Sequence, residues 1–328
     1  MRKVRTFLSK VGANEESLMI AVNERKEQIS RTELVVKAIV ARSIARGVNT
    51  EWSDGNKLAM VSSSLGRGGS ERQVVTCLNR LVHNENWREI FLYCYKIDTT
   101  GGKFQTFENE VKDIAVPIFE IGSEKVDFDE WIDFKIEEWS DLLRLLPGSM
   151  RRVVEPLYGR FLLQEPSLVH SWQDGMNINS ALAAMMAGVP KIVMFARSMR
   201  TDEKSILHIR GGEHLRNSYR EILGRGRAIL AHNSSVGAES YTEWLGNDLG
   251  SFEVIHNGVD FQGMEDGEGD SEIRKEIMDI GISEDCKIVG GVFRLVEEKQ
   301  PNLWIEVAEE VVNKHKNVHF VLVGGGQL

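Results

Sequence analysis

From Leu58 onward the chain alternates short apolar runs with helical stretches, and this rhythm restricts the fold more than any other feature. The runs are Leu58 to Ser64, Ile90 to Tyr95, Ala115 to Ile121, Leu168 to His170, Lys191 to Phe195, Ala228 to His232 and Phe252 to His256. Between the first two lies the helical pattern Val74, Val75, Leu78, Leu81, Val82. A helix through Ala181 to Ala187 is stopped by Gly188 and Pro190, the expected stop chemistry. Strands that alternate with helices predict βαβ units and a parallel sheet. Such a sheet is stable only when both of its faces are covered.

The final stretch repeats the rhythm once. A strand, Ile288 to Phe293, is followed by Arg294, Lys299, a helix, and a second strand ending at Gly324-Gly325-Gly326. One strand-helix-strand unit cannot cover its own apolar faces, so Ile288 to Leu328 is expected to expose a large apolar surface. The chain therefore reads as one whole domain followed by the start of another. Residues 1–50 are expected to be a helical N-terminal extension with a polar break near Gly12-Ala13-Asn14-Glu15. Its docking place (this domain, a partner or a membrane) is left open. Residues 51–262 are expected to form an N-terminal Rossmann-like domain, and 263–328 the incomplete opening of a second. The junction falls between Asn257 and Asp270, where a turn signal precedes an acidic, glycine-rich stretch. Residues 123–160 break the rhythm and read as an acidic insertion.

Composition narrows the function classes. With 328 residues and a formal charge of −9, the chain lacks the basic balance of a general nucleic-acid binder. Cys77, Cys94 and Cys286 are far apart, which suits a reducing cytoplasm better than a disulfide framework. No apolar run approaches the roughly 20 residues of a membrane span. The start, MRKVRTFLSKVG, has positive charge but neither the apolar core nor the cleavage site of a signal peptide. A solvated helical extension suits it better than an amphipathic membrane contact.

Four segments carry candidate chemistry. Gly66-Arg67-Gly68-Gly69-Ser70-Glu71 links a strand to a helix, where glycines permit close backbone approach and a helix start favours an anion. The dinucleotide pattern GxGxxG fails because Glu71 holds the third glycine position, and no P-loop is present. His170, near a strand end beside Ser171 and Trp172, suits a hydrogen bond to a ligand or a satisfied structural role equally well. Trp172 is the tryptophan placed to stack on a sugar. Arg294 and Lys299 supply a donor fork and a point charge suited to a diphosphate, although two cations before a helix are also an ordinary solvated start. The basic series Arg197, Arg200, Lys204, Arg210, Arg216, Arg220, Arg225, Arg227 reads as an anionic-acceptor cup, a contact for acidic lipid headgroups or a solvated face.

Taken in order, VSSSLGRGGSERQVVTCLNRL, LVHSWQDGMNINSALAAMMAGVPKIV, AILAHNSSVGAESYTEWLG, FEVIHNGVDF, GGVFRLVEEKQPNLWIEVA and HFVLVGGGQL resemble GT-B glycosyltransferases of the GT4 type. They cover roughly residues 58–328, apart from 123–160. VMFARSMRTDEKS and HNSSVGAESYTEWLG are similar to members that build bacterial capsular or surface polysaccharides. The resemblance implies an α/β GT-B fold of two Rossmann-like domains with parallel sheets. It implies transfer of a hexose from a nucleotide diphosphate sugar, UDP-linked above all, to a glycan or lipid-linked hydroxyl. Configuration would be retained, with no metal and no further cofactor. His170 would lie near the transferred sugar, Arg294 and Lys299 would neutralise the leaving diphosphate, and Gly68, Gly69 and Gly324 would line the binding cleft. Asn257 and Gly258 would form the crossing between domains. A cytoplasmic protein follows, with the inner face of the membrane and a polysaccharide-synthesis complex as compatible settings. The family's glutamate pair would fall beyond Leu328, so the resemblance equally allows a non-catalytic GT-B-like protein that binds glycan or a partner. A sugar-nucleotide epimerase fits poorly, because Tyr219 and Tyr241 lack a following lysine at the required spacing.

Overall fold

The computed structural model describes residues 15–97, 106–122, 130–199, 212–259 and 286–326, with 275, 276, 278, 279 and 281 between the last two. It divides into two compact units, Met1–Val259 and Asp260–Leu328.

The first unit begins with α1 (Glu15–Arg46), then β1 (Lys57–Ser62), α2 (Gly69–Leu81), β2 (Glu89–Cys94), α3 (Glu108–Asp113) and β3 (Ile118–Glu120). Helices α4 (Glu130–Glu137), α5 (Ser140–Leu143) and α6 (Gly148–Gln164) lead to β4 (Leu168–Trp172) and α7 (Asp174–Ala187). The unit closes with β5 (Lys191–Ala196), α8 (Gly212–Leu223), β6 (Ile229–His232), α9 (Ser235–Leu245) and β7 (Glu253–Val254). The strands form a seven-stranded parallel sheet in the order β3-β2-β1-β4-β5-β6-β7. Strand order therefore reverses between β1 and β4.

The central strands β1, β2, β4, β5 and β6 are largely buried on both faces, as a parallel sheet requires, while the edge strands β3 and β7 are half-buried and exposed, respectively. Along β1, Ala59 and Val61 enter one core with α1, α6, α7, α8 and α9, while Leu58 and Met60 enter the other with α2 and α3. Helix α1 belongs to this unit. Val35, Val36, Ile39 and Val40 are buried in the first core, and the Arg42 guanidinium lies 4.6 Å from the Trp139 ring centroid. Of the expected polar break at 12–15, residues 12–14 lie outside the described residues, and Glu15 already opens the helix.

The stretch expected as an insertion needs correcting. Its residues 123–129 lie outside the described residues, but α6 is the crossover helix that brings the chain from β3 to β4. Val154, Leu157, Tyr158 and Phe161 on α6 are buried, which the acidic residues around Trp131 concealed. The stop after α7 follows the sequence reading. Gly188 takes φ 78°, and its carbonyl accepts from the Asn49 N–H at 2.8 Å, which ties the end of α7 to the linker after α1.

In the second unit, β8 (Lys287–Val292), α10 (Pro301–Lys314) and β9 (Val318–Val323) form one parallel βαβ unit, with β8 and β9 paired over their full length. Ile288, Val289, Val292, Leu303, Ile305, Val307 and Val323 are exposed, as expected of a lone unit.

Candidate functional site

In an open parallel sheet, a crevice forms outside the carboxyl ends of the strands where their order reverses. Here that point lies between the β1–α2 loop and the β4–α7 turn. Helix α2 continues onto one face of the sheet and α7 onto the other.

The glycine loop is closed by the chain itself. Gly68 precedes α2 without a side-chain cap, and the carboxylate of Glu71, three residues on, folds back over it. A Cβ at Gly68 would sit 2.0 Å from Glu71 Oε2, so the space above this glycine is taken by the carboxylate, which would have to swing aside for any larger residue. A negative group at the start of a helix is favoured by the backbone dipoles. At Gly69 a Cβ would meet nothing within 4 Å. Glu71 is also tied across the switch point: Gln173 Nε2 donates to its Oε1 at 3.2 Å and Ser64 Oγ at 3.4 Å. Gln173 holds φ 74°, an uncommon conformation for a residue with a side chain, at the turn from β4 into α7.

Behind this turn lies a buried polar network. Asp174 Oδ1 accepts from Tyr241 OH at 2.6 Å and from Tyr219 OH at 2.9 Å. Asn177 Nδ2 donates to Tyr219 OH at 3.0 Å, while its Oδ1 accepts from Ser171 Oγ at 2.9 Å and from the Phe195 N–H at 3.2 Å. Burial pushes the Asp174 carboxyl above its usual range, against the pull of the two tyrosine bonds. The network locks α7, α8 and α9 to the ends of β4 and β5.

His170 lies inside β4, two residues before its end, in register with Met60 on β1 and Val193 on β5. Its ring is 5.0 Å from that of Trp172 and 5.8 Å from that of Phe195. Burial lowers its pKa to about 4, so the imidazole is neutral at physiological pH. Trp172 is 3% exposed and packed against His170, Phe195 and the Arg197 guanidinium, which leaves no face open to stack on a sugar. That corrects the sequence expectation: a tryptophan at a strand end can as well roof the core as line a crevice.

The basic series resolves into separate roles. Arg200, Lys204 and Arg210 lie outside the described residues. Arg216 Nε donates to the Trp244 carbonyl at 2.5 Å, and Arg227 Nη2 to the Val189 carbonyl at 3.0 Å. Arg220 holds Asp248 and the Leu245 carbonyl, and Arg225 pairs with Glu221. These four pin helix ends and are not gathered into one cup. Arg197, directly after β5, is half-buried, and burial lowers its pKa against the raising influence of Glu71.

Arg294, Lys299 and Gly324 belong to the second unit. Arg294 follows β8, Lys299 ends the short turn Glu297–Lys299 before α10, and both are exposed. A Cβ at Gly324 would sit 2.0 Å from the Phe293 carbonyl oxygen, so a glycine is needed where the ends of β8 and β9 converge. Asn257 and Gly258 end the first unit. Gly258 is fastened to α2 by Gln73, whose Nε2 donates to its carbonyl at 2.8 Å and whose Oε1 accepts its N–H at 2.9 Å.

Sequence reasoning missed Glu71 as an occupant of the loop, Gln173 as its partner, and Asp174, Asn177, Tyr219 and Tyr241 as a network. The only signal for the first was the motif's departure from GxGxxG. Among the described residues, no group of three or more His, Cys, Asp or Glu is placed to hold a metal, and no helix is long and apolar enough to cross a membrane.

The fold is the α/β architecture of GT-B glycosyltransferases. An α,α-trehalose-phosphate synthase (UDP-forming) from Burkholderia vietnamiensis superposes with a TM-score of 0.52 at 13% identity, over 83% of this chain and 65% of that one. The apo lipopolysaccharide outer core galactosyltransferase WaaB gives 0.49 at 12% identity, over 83% and 61%, a score too low to argue from. In sequence, the chain is similar to the Vi polysaccharide biosynthesis protein VipC/TviE of Salmonella typhi, with 28% identity over 284 residues, 83% of this chain and 48% of that protein. The chain thus spans about half the length of the curated relative that it matches. No protein-family model matches it.

Proposed function

We propose that this protein is a glycosyltransferase of polysaccharide biosynthesis that moves a hexose from a nucleotide diphosphate sugar, UDP-linked above all, to a glycan or lipid-linked hydroxyl. The observation that carries the reading is the similarity to a polysaccharide biosynthesis protein laid over a GT-B-type parallel sheet. In the proposed reaction the C1–oxygen bond to the diphosphate breaks and the acceptor oxygen bonds C1 as the hydroxyl proton leaves. Configuration is retained and no metal takes part. Negative charge then grows on the departing diphosphate, and fixed cations lower the barrier most when they face that charge. Arg294 and Lys299, exposed together before α10, have this role, with Gly324 beside the diphosphate. His170, neutral at physiological pH, offers a hydrogen bond to the transferred sugar and no charge. Gly68 and Gly69 line the diphosphate or acceptor side of the cleft in this reading. The partners are the sugar nucleotide and the acceptor, met at the cytoplasmic face of the membrane within a polysaccharide-synthesis complex.

The test is nucleotide release by the full chain against a panel of UDP-, GDP- and ADP-sugars, with and without surface-glycan fragments. Acceptor-dependent release from one donor is expected, and Arg294→Ala and Lys299→Ala should each lower turnover by about a hundredfold or more. Failure of every donor would sink the activity. Near-normal turnover in both variants would sink the roles of these two cations.

A further inference from the structure

Buried polar atoms in folded proteins nearly always have partners, so a local concentration of orphans calls for an explanation. Toward the carboxyl ends of β4 and β5 several occur together, and a further one lies in the first turn of α2. Among the described residues, Trp172 Nε1, Arg197 Nε and Nη1, His170 Nε2 and Ser70 Oγ are buried without a hydrogen-bond partner. Three of these five atoms can only donate: the indole nitrogen and both guanidinium nitrogens. The indole and guanidinium nitrogens therefore lack an acceptor. The Arg197 guanidinium lies 5.2 Å from the Trp172 ring and 5.5 Å from the Phe195 ring, and Trp172 lies 5.0 Å from His170. A guanidinium held against aromatic rings loses water that it does not regain from the protein. An oxyanion returns the missing hydrogen bonds and the missing charge in one step. Glu71 acts on Arg197 electrostatically, but no ion pair between them is formed. Its carboxylate is already engaged with Gln173 and Ser64. Four other arginines of the same basic series are committed to backbone carbonyls or carboxylates, which sets Arg197 apart.

We propose that Arg197, with the Trp172 indole N–H, binds an anionic group of the acceptor, a carboxylate or a phosphate, at the carboxyl ends of β4 and β5. The inference rests on the glycosyltransferase reading for the word acceptor. The oxyanion site itself stands on the orphaned donors. Arg197 as a residue is half-buried, while its Nε and Nη1 are buried at the carboxyl ends of the strands.

The test uses the full chain without any sugar nucleotide, so its outcome is separate from that of the turnover assay. Trp172 indole N–H and Arg197 Nε–H resonances are followed during titration with glucuronate, with inorganic phosphate and with glucose. Saturable shifts with one or both anions and none with glucose are expected, and the two anions separate an acidic sugar from a phosphorylated acceptor. Arg197→Met should abolish the shifts and melt at or above the wild-type temperature, because a desolvated charge has been removed. Arg197→Lys, which keeps charge but not the donor fork, should weaken binding about tenfold or more. The proposal fails if neither anion shifts these signals in the wild type, or if Arg197→Met binds as well as the wild type. It fails equally if Arg197→Met melts several degrees lower, since the arginine would then be a structural prop.

Discussion

Strands β1 and β8 are alike in sequence and opposite in surroundings. KLAMVS and KIVGGV each span six residues, start with lysine, pair in parallel and lead toward a helix. In β1, Leu58, Ala59, Met60 and Val61 are at most 1% exposed, whereas Val292 in β8 is 82% exposed and Ile288 43%. The first strand has a neighbour on each side and helices over both faces. Among the described residues, the second pairs with one strand, and α10 is the helix of eight residues or more in its unit. An apolar run thus declares that a strand will form, and the number of units around it decides whether the strand is buried.

The largest expected effect of that contrast is on amide exchange. Backbone amides of β1, β4 and β5 should exchange slower than those of β8 and β9 by a factor of about 1,000 or more, because opening energies range from near zero to the global stability. Equal protection in the two sheets would break the comparison. Side-chain truncation comes next. Leu78→Ala, in the fully buried core beneath α2, should cost about 2–5 kcal/mol in chemical denaturation. Val292→Ala should stay within about 0.5 kcal/mol. A large loss at Val292 would mean that its surface is covered in solution.

A further effect is a pH slope confined to the first unit. The His170 imidazole has its pKa lowered from 6.5 to about 4 by burial. The folded form then binds fewer protons than the unfolded form within this window, so its contribution is complete above pH 6.5 and is lost as pH falls toward 4. The whole step is at most about 3 kcal/mol, reduced by the part of the ring that stays accessible. Denaturation of His170→Phe across the same window should show a flatter slope than the wild type. An unchanged slope would mean that another group carries it.

The parallel sheet was legible because covered strands must be mainly apolar, and the central runs, from Leu58 to His232, are. The end of α7 was legible because Gly188 and Pro190 are chemically suited to stopping a helix. The crossover helix α6 was not: its buried Leu157 and Phe161 sit among charged residues, and the acidic segment before it dominates the local composition. At the switch point, the sequence offered the glycines but not what lies above them. Glu71, folded back over Gly68, is held in part by Gln173 from a turn over a hundred residues later, a long-range contact that no local pattern encodes. Trp172 misled for the converse reason, since its position at the strand end was right while its neighbours Phe195 and Arg197 close over it.

The shared acceptor at Asp174 has a consequence for how such a chain can change over generations. One carboxylate oxygen serves two tyrosines on two helices, and a third donor reaches one of those tyrosines from Asn177. Replacing Asp174 leaves both tyrosine hydroxyls short of an acceptor, and replacing either tyrosine removes one donor from the carboxylate, at about 1–3 kcal/mol for each buried group left unpaired. Single replacements should therefore be selected against, while joint exchanges (Asp174 to an apolar residue along with both tyrosines to phenylalanine) should be tolerated. In related chains these positions should behave as one inherited character, gained and lost together, even where the crevice in front of them has turned to a different ligand.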